Sequence, residues 1–115
     1  MKIQTEFTED HQAKVTVEFE TEVLETYERK AARQLAKETR IPGFRPGKAP
    51  YNMVVNYVGE ETIVNNAIDL MVDRFYPEVV KEAGIEPSGP GGLDDVKIED
   101  SIFFFFTIPL EPTVE

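Results

Sequence analysis

Two short stretches near the start of the chain alternate between apolar and polar positions. In KIQTEF (residues 2–7) Ile3, Thr5 and Phe7 share one face, and in KVTVEFE (residues 14–20) Val15, Val17 and Phe19 do so. A period of two predicts half-buried strands, and the polar link TEDHQA between them predicts an antiparallel hairpin. From about Glu22 to Thr39 the period lengthens. Val23, Tyr27, Ala31 and Leu35 recur every four residues, with Leu24 and Ala32 widening the stripe, as in an amphipathic helix. Thr21 suits the N-cap. Glu22, Glu25 and Glu28 lie in the first half, and Lys30, Arg33, Lys37 and Arg40 follow, an order that complements the helix dipole. Pro42 forbids continuation, and Gly43 can adopt the backbone conformations of a helix exit.

Pro50 is placed to open a short helix that reaches Tyr57 and is punctuated by Gly59. A longer helix is expected from about Glu60, with Ile63, Ala67, Met71 and Phe75 in one row and Val64, Ile68 and Val72 in the next. Pro77 should kink or restart it, and Gly84 should stop it. EPSGPGG (residues 86–92) is a loop by composition, a weak strand is expected at Asp95–Ile98, and SIFFFFTIPL supplies a strand of β-formers. The tail PLEPTVE, with two prolines in four residues, reads as a linker leaving the domain. Strand, strand, helix, loop, helices and strands in that order predict an α+β domain. Its expected form is a small antiparallel sheet of about four strands, two to three helices packed on one face, and a protruding helix–loop–helix tip.

Composition narrows the function. At 115 residues, 41 % hydrophobic and 30 % charged, the chain is one domain able to bury a real core. No apolar run approaches the roughly 20 residues of a membrane span, and MKIQTEFTED lacks the apolar segment of a secretory signal. With no cysteine there is neither a disulfide framework nor a thiolate metal site. A cytoplasmic protein with no membrane partner, cofactor or metal is the expectation.

The net charge of −10 is unevenly spread. Residues 29–48 hold seven bases against the single acid Glu38, a local balance of +6, which leaves −16 for the other 95 residues. The chain is electrically two-ended.

Catalytic chemistry finds little support. GFRPGKA resembles a phosphate-binding loop, but that motif needs four residues between its glycines and a hydroxyl residue after the lysine. Here there are three, and Ala49 stands where the magnesium ligand should be. His11, the only histidine, lies in a polar turn, where a solvated side chain is the plain reading. Glu60 and Glu61 stand where a helix N-terminus favours negative charge, and Asp94 and Asp95 flank a turn. No catalytic residue is assigned, and the chain is expected not to be an enzyme.

Two features remain. Four phenylalanines stand in a row, Phe103–Phe106, so Phe104 and Phe106 face one side of a strand with Ile102 and Ile108, and Phe103 and Phe105 face the other. Either the strand is central with both faces buried, or Phe103 and Phe105 form an exposed surface for an unfolded client, a second copy of the chain or a missing domain. The second feature is RIPGFRPGKAP (residues 40–50), with three prolines, two glycines, three bases and one aromatic ring in eleven positions. Its prolines limit the entropy lost on binding. Phe44 offers an aromatic anchor, Arg45 a two-pronged contact to carboxylate or phosphate, and Lys48 a point charge. The competing reading folds Phe44 under the helices as a staple and leaves the bases merely solvated.

GFRPGKAP (residues 43–50) resembles the signature loop of the trigger factor family, in the N-terminal ribosome-binding domain of those bacterial chaperones. The resemblance extends over essentially all 115 residues, including the hairpin, the helix before the loop, the helix EETIVNNAIDLMVDRFYPEVVKEAGI and the closing aromatic strand. It implies a loop that docks beside the polypeptide exit tunnel of the large ribosomal subunit, on a ribosomal protein and adjoining ribosomal RNA. Nascent or unfolded polypeptides are the further partners implied, while a homodimer is an expectation from the Phe-rich strand alone. By position, Phe44 and Arg45 match the docking residues, and Gly43, Pro46, Gly47 and Lys48 complete the motif. Arg33, Lys37 and Arg40 support it as the basic helix end. Some members carry a lysine where this chain has Pro46, and others share the proline. The family's full-length protein continues into a peptidyl-prolyl isomerase domain and a client-cradling domain. Residues 1–115 are therefore expected to be the ribosome-binding domain of a longer protein, cut near Val114–Glu115. The alternative is a self-associating interaction domain that uses the Phe-rich strand, with the basic loop on an acidic protein partner.

Overall fold

The computed structural model describes residues 1–89 and 91–111. The elements run β1 (Lys2–Phe7), β2 (Gln12–Phe19), α1 (Thr21–Glu38), α2 (Tyr51–Val58), α3 (Glu60–Ala83), β3 (Gly92–Ile98) and β4 (Ile102–Pro109). The four strands form one antiparallel sheet in the order β1-β2-β4-β3, so the fold is α+β, with a four-stranded sheet and three helices. The chain divides into two compact units, residues 1–21 with 75–115 and residues 22–74.

The first unit is built on the sheet. β2 and β4 pair in the middle, with Val15 opposite Phe106 and Val17 opposite Phe104. Alternation then places Ala13, Val15, Val17 and Phe19 on one face with Ile102, Phe104, Phe106 and Ile108, and all eight are buried. The C-terminal end of α3 supplies the helical cover in this unit. Phe75 lies 5.0 Å from Phe19 between ring centroids, Tyr76 lies 5.8 Å from Phe106, and Val79 is buried. Tilted rings at these distances add to the burial of their area.

The other face of β4 carries the second pair of the phenylalanine row on an inner strand of the sheet. Phe103 and Phe105 are half-buried. Lys2, Glu18, Phe103 and Lys97 form one row across the four strands, and Gln4, Thr16, Phe105 and Asp95 form the next. Opposite charges stand on neighbouring strands, a pairing that favours the sheet. The Lys97 amine sits 5.8 Å from the Phe105 ring centroid, within reach of a cation–π contact. The two rings are thus framed by charge on an otherwise polar face.

Several expectations are corrected here. Phe7 keeps the face of Ile3 and Thr5, opposite Ala13, yet is 63 % exposed because it ends an edge strand whose only neighbour is β2. β3 begins at Gly92, earlier than expected, and a bulge between Leu93 and Asp95 disguises its alternation. Pro109 and Leu110 still pair with the body of the unit, through the Pro87–Leu110 bridge and a 2.9 Å bond from the Ser88 N–H to the Pro109 carbonyl, so the linker reading fails there. The rest of that tail, residues 112–115, lies outside the described residues. α3 runs through Pro77 without a restart. The proline removes only the N–H that would reach the carbonyl of exposed Asp73.

The second unit holds α1, α2 and the start of α3. Ala32 and Ala36 of α1, Val54 of α2 and Ile63 of α3 share one buried cluster with Ile41. On α1 the buried line is Leu24, Ala31, Ala32 and Ala36, one position round from the expected stripe, and Val23, Tyr27 and Leu35 are half-buried. The small residues Ala32 and Ala36 thus lie inside the cluster, and Leu35 packs against it from the side. α3 buries Ile63, Ala67 and Met71 as its spacing predicts.

A Cβ at Gly91 would stand 2.6 Å from the Tyr76 hydroxyl and 2.8 Å from Ile108. The Gly91 N–H also donates to that hydroxyl at 2.9 Å. Gly91→Ala should therefore cost about 1–3 kcal/mol in urea unfolding through overpacking. Gly92→Ala, which meets nothing within 4 Å, should cost less than half of that. Equal losses would overturn the steric account.

Candidate functional site

The loop between α1 and α2 is two tight turns in succession. The Phe44 N–H donates to the Ile41 carbonyl at 3.2 Å, and the Lys48 N–H donates to the Arg45 carbonyl at 3.0 Å. Each turn has proline at its second position and glycine at its third, Pro42-Gly43 and Pro46-Gly47. The glycines have φ of +89° and +80°. Proline admits only negative φ, so positive φ at the following residue makes both turns type II. Pro46 therefore has a structural task here, holding the second turn as Pro42 holds the first.

Two contacts tie this pair of turns to the helices. The Gly47 N–H donates to the Ala36 carbonyl at 2.9 Å, satisfying one of the carbonyls left open at the end of α1. Ile41, 6 % exposed, sits in the cluster of Ala32, Ala36, Val54 and Ile63. Phe44 is 37 % exposed. The staple is therefore Ile41, and the aromatic ring is presented outward. Pro50 stands just before α2, with extended backbone and its carbonyl accepting from Met53 and Val54 at 3.0 Å each, one position earlier than expected.

Gly43, Phe44, Arg45, Pro46, Gly47 and Lys48 are all exposed on this loop, as are Arg33, Lys37 and Arg40. Arg40, Phe44 and Arg45 line two adjoining hollows, so they form the ridge between them. Lys37 borders one hollow and Tyr57 of α2 the other. Arg33 borders neither and faces a separate groove on α1. Phe103 and Phe105 belong to the other compact unit. Two guanidinium groups and an aromatic ring on one ridge, on a backbone that loses little freedom, can bind a carboxylate or phosphate beside an apolar or stacking group. Among the described residues no cluster of acids and histidine could hold a metal ion.

The sequence reading missed Ile41 and Tyr57. Ile41 is the only branched aliphatic side chain in the loop, which could have marked it as the anchor. In α2, YNMVVNYV is too apolar for one narrow buried stripe, and only Val54 is buried. Tyr51, Met53 and Tyr57 are left at 44, 42 and 53 % exposed.

Tyr51 donates its hydroxyl to Glu28 at 3.3 Å, linking α2 to α1. Burial raises the Glu28 carboxyl above its ordinary value of 4.5, opposed by the Tyr51 hydrogen bond and reinforced by the charges of Glu60 and Glu25. The folded state therefore holds this proton more tightly than the unfolded one. The contribution of Glu28 is most favourable below pH 4.5 and is lost as pH rises through the raised value. Glu28→Gln should match the parent chain in melting temperature near pH 4, and its advantage should grow towards pH 7.

A second pair of variants tests the anchor. Ile41→Ala should lose about 2–5 kcal/mol through lost burial and a cavity. Phe44→Ala should lose about 1 kcal/mol or less in the same thermal unfolding.

Comparison with known proteins places this geometry. The sequence model of the family described as bacterial trigger factor protein matches residues 1–115. Trigger factor of Roseiflexus sp. is 35 % identical over 99 % of this chain, which covers 21 % of that protein. For trigger factor of Bacillus subtilis the identity is 33 % over the whole chain, which covers 28 % of that protein. The chain thus spans about a quarter of the length of these relatives. A solved trigger factor chaperone, reported for promiscuous substrate recognition in folding and assembly, superimposes with a TM-score of 0.83 at 23 % identity, covering 98 % of this chain and 27 % of that one. A trigger factor structure from Thermotoga maritima gives 0.68 at 23 % identity, covering 100 % and 95 %. At that identity the structures speak for the α+β fold, while the family match over the full length speaks for descent. The chain belongs to the trigger factor family of bacterial chaperones and corresponds to its N-terminal domain.

Proposed function

We propose that this chain is the ribosome-docking domain of a co-translational chaperone, binding beside the exit tunnel of the large subunit so that nascent chains are received as they emerge. The observation that carries this reading is the exposed ridge of Arg40, Phe44 and Arg45, raised on two proline–glycine turns and anchored by Ile41. Phe44 and Arg45 supply an aromatic and an arginine, the composition of an interface hot spot, and Lys37, Arg40 and Lys48 supply charge for ribosomal RNA. The reading places the protein in the bacterial cytoplasm, and no described helix is long and apolar enough to cross a membrane. It makes residues 1–115 a binding domain, with isomerase and client-cradling functions left to other parts of a longer protein.

Charge separation adds directionality. A patch of +6 against −16 elsewhere attracts the ribosomal surface at one place and repels it from the others, favouring loop-first encounters. Self-association through Phe103 and Phe105 is the second reading, and their frame of opposite charges leaves it a narrow apolar surface.

Co-sedimentation with ribosomes over a salt series tests the proposal. Affinity should fall with a log–log slope of roughly −2 to −3 if Arg40, Arg45 and Lys48 each neutralise one phosphate. Phe44→Ala/Arg45→Ala should bind about tenfold more weakly or worse while keeping its fold. Normal pelleting of the double variant would end the docking assignment, and salt-independent affinity would remove its electrostatic part.

A further inference from the structure

A second recessed surface lies in the same compact unit, on the side of the loop away from the Phe44 ridge. It is a groove of about 220 Å³ between α1 and the segment leading into α2. Its floor is made by Ala32, Ala36, Ala49 and Val54, and Arg29 and Arg33 stand at its rim. Neither Phe44 nor Arg45 lines it.

The groove follows from features already described. Gly47 is held to the Ala36 carbonyl at 2.9 Å, so the second turn closes one end against α1. Tyr51, bonded to Glu28 at 3.3 Å, also lines it and ties α2 to α1. Between these two ties the facing residues on α1 are Ala32 and Ala36, whose small side chains leave the space beside them unfilled. The volume is several times the roughly 30 Å³ that one water occupies in the liquid, enough for a large side chain.

The charge at the rim says what else an occupant carries. Arg29, Arg33 and Lys37 follow at intervals of four on α1, so like charges stand one above another on one helix face. Such neighbours repel by a few tenths of a kcal/mol per pair. Among the described residues neither Arg29 nor Arg33 has an ion-pair partner. The nearby acid Glu28 accepts from the Tyr51 hydroxyl. An incoming carboxylate between the two guanidinium groups would relieve the repulsion and take charge-assisted hydrogen bonds from both.

We propose that this groove is a binding site for a protein segment in which a bulky aliphatic side chain lies next to a carboxylate, the side chain entering over Ala32, Ala36, Ala49 and Val54 and the carboxylate meeting Arg29 and Arg33. The site goes beyond the docking reading and stands whether or not the loop meets a ribosome. It gives this domain a way to hold an acidic, aliphatic peptide segment through residues other than its loop motif.

The test is a nuclear magnetic resonance titration of the 115-residue chain. The probes are a capped six-residue peptide alternating leucine and glutamate, its leucine–glutamine counterpart, and inorganic phosphate. The glutamate peptide should shift the Ala32, Gly47 and Ala49 amides in a saturable way, at least about fivefold more tightly than the glutamine peptide. Arg29→Ala/Arg33→Ala should remove that preference. Ala49→Met, which fills the groove without changing charge, should weaken both peptides, and circular dichroism confirms that each variant is folded. Equal binding of the two peptides would overturn the carboxylate assignment. Phosphate shifting the same amides as strongly as the glutamate peptide would make this an anion site and overturn the peptide assignment. Shifts confined to Phe44 and Arg45 would place the peptide on the docking loop instead. The same shifts on concentrating the chain alone would make a second copy the occupant, and the proposal would fail.

Discussion

An aromatic ring offered to water needs something inside the protein to hold it out, and here the burial of Ile41 does so. The ring of Phe44 would otherwise be drawn towards the nearest apolar surface. Ile41 occupies that surface first, among Ala32, Ala36, Val54 and Ile63. The turn that begins at Ile41 then directs Phe44 away from the cluster, and the second turn is tied down by Gly47 on the Ala36 carbonyl. With two prolines setting φ and two glycines taking positive φ, few backbone rotations remain free. The loop is ordered on folding, so the proposed docking would not have to order it again.

The same small residues on α1 serve two purposes. Ala32 and Ala36 share the buried cluster that takes up Ile41, and they also line the groove bordered by Gly47. Larger residues at these positions would fill the groove and displace the anchor. The bases on the outer surface of α1 cost little at its C-terminal end, where the helix dipole favours them. Stability and a positive face are thus compatible on one helix, even in a chain of net charge −10.

Most of the fold was legible in the sequence because its elements carry strong periodicity. β2 and β4 alternate cleanly and pair at the centre of the sheet, and α3 buries the row Ile63, Ala67 and Met71 that its spacing marks. The failures have local causes. A bulge at Leu93–Asp95 broke the period of β3, an edge position left Phe7 exposed, and burial of Ala32 and Ala36 in the cluster around Ile41 set the buried line of α1 one residue round. In the loop, composition marked Phe44, Arg45 and Lys48 as candidates for docking, and the resemblance to the family added Gly43, Pro46 and Gly47. Which hydrophobic residue is buried and which is presented was not decided by composition, since Ile41 and Phe44 are both apolar and three residues apart. Tyr57 comes from another element, so its place beside Phe44 depends on where α2 packs.

By itself the sequence determined the period of each element, the stops at proline and glycine, and the separation of positive from negative charge. It also determined the motif that ties the chain to its family. All of these are properties of neighbours along the chain. Tertiary structure alone decided that Ile41 is the anchor, that Phe103 and Phe105 lie within a frame of charged residues from three other strands, and that Arg33 borders a groove separate from the loop. Each of those depends on residues far apart in sequence coming to share one surface. Packing settles that by allotting limited interior volume among side chains that hydrophobicity alone does not rank.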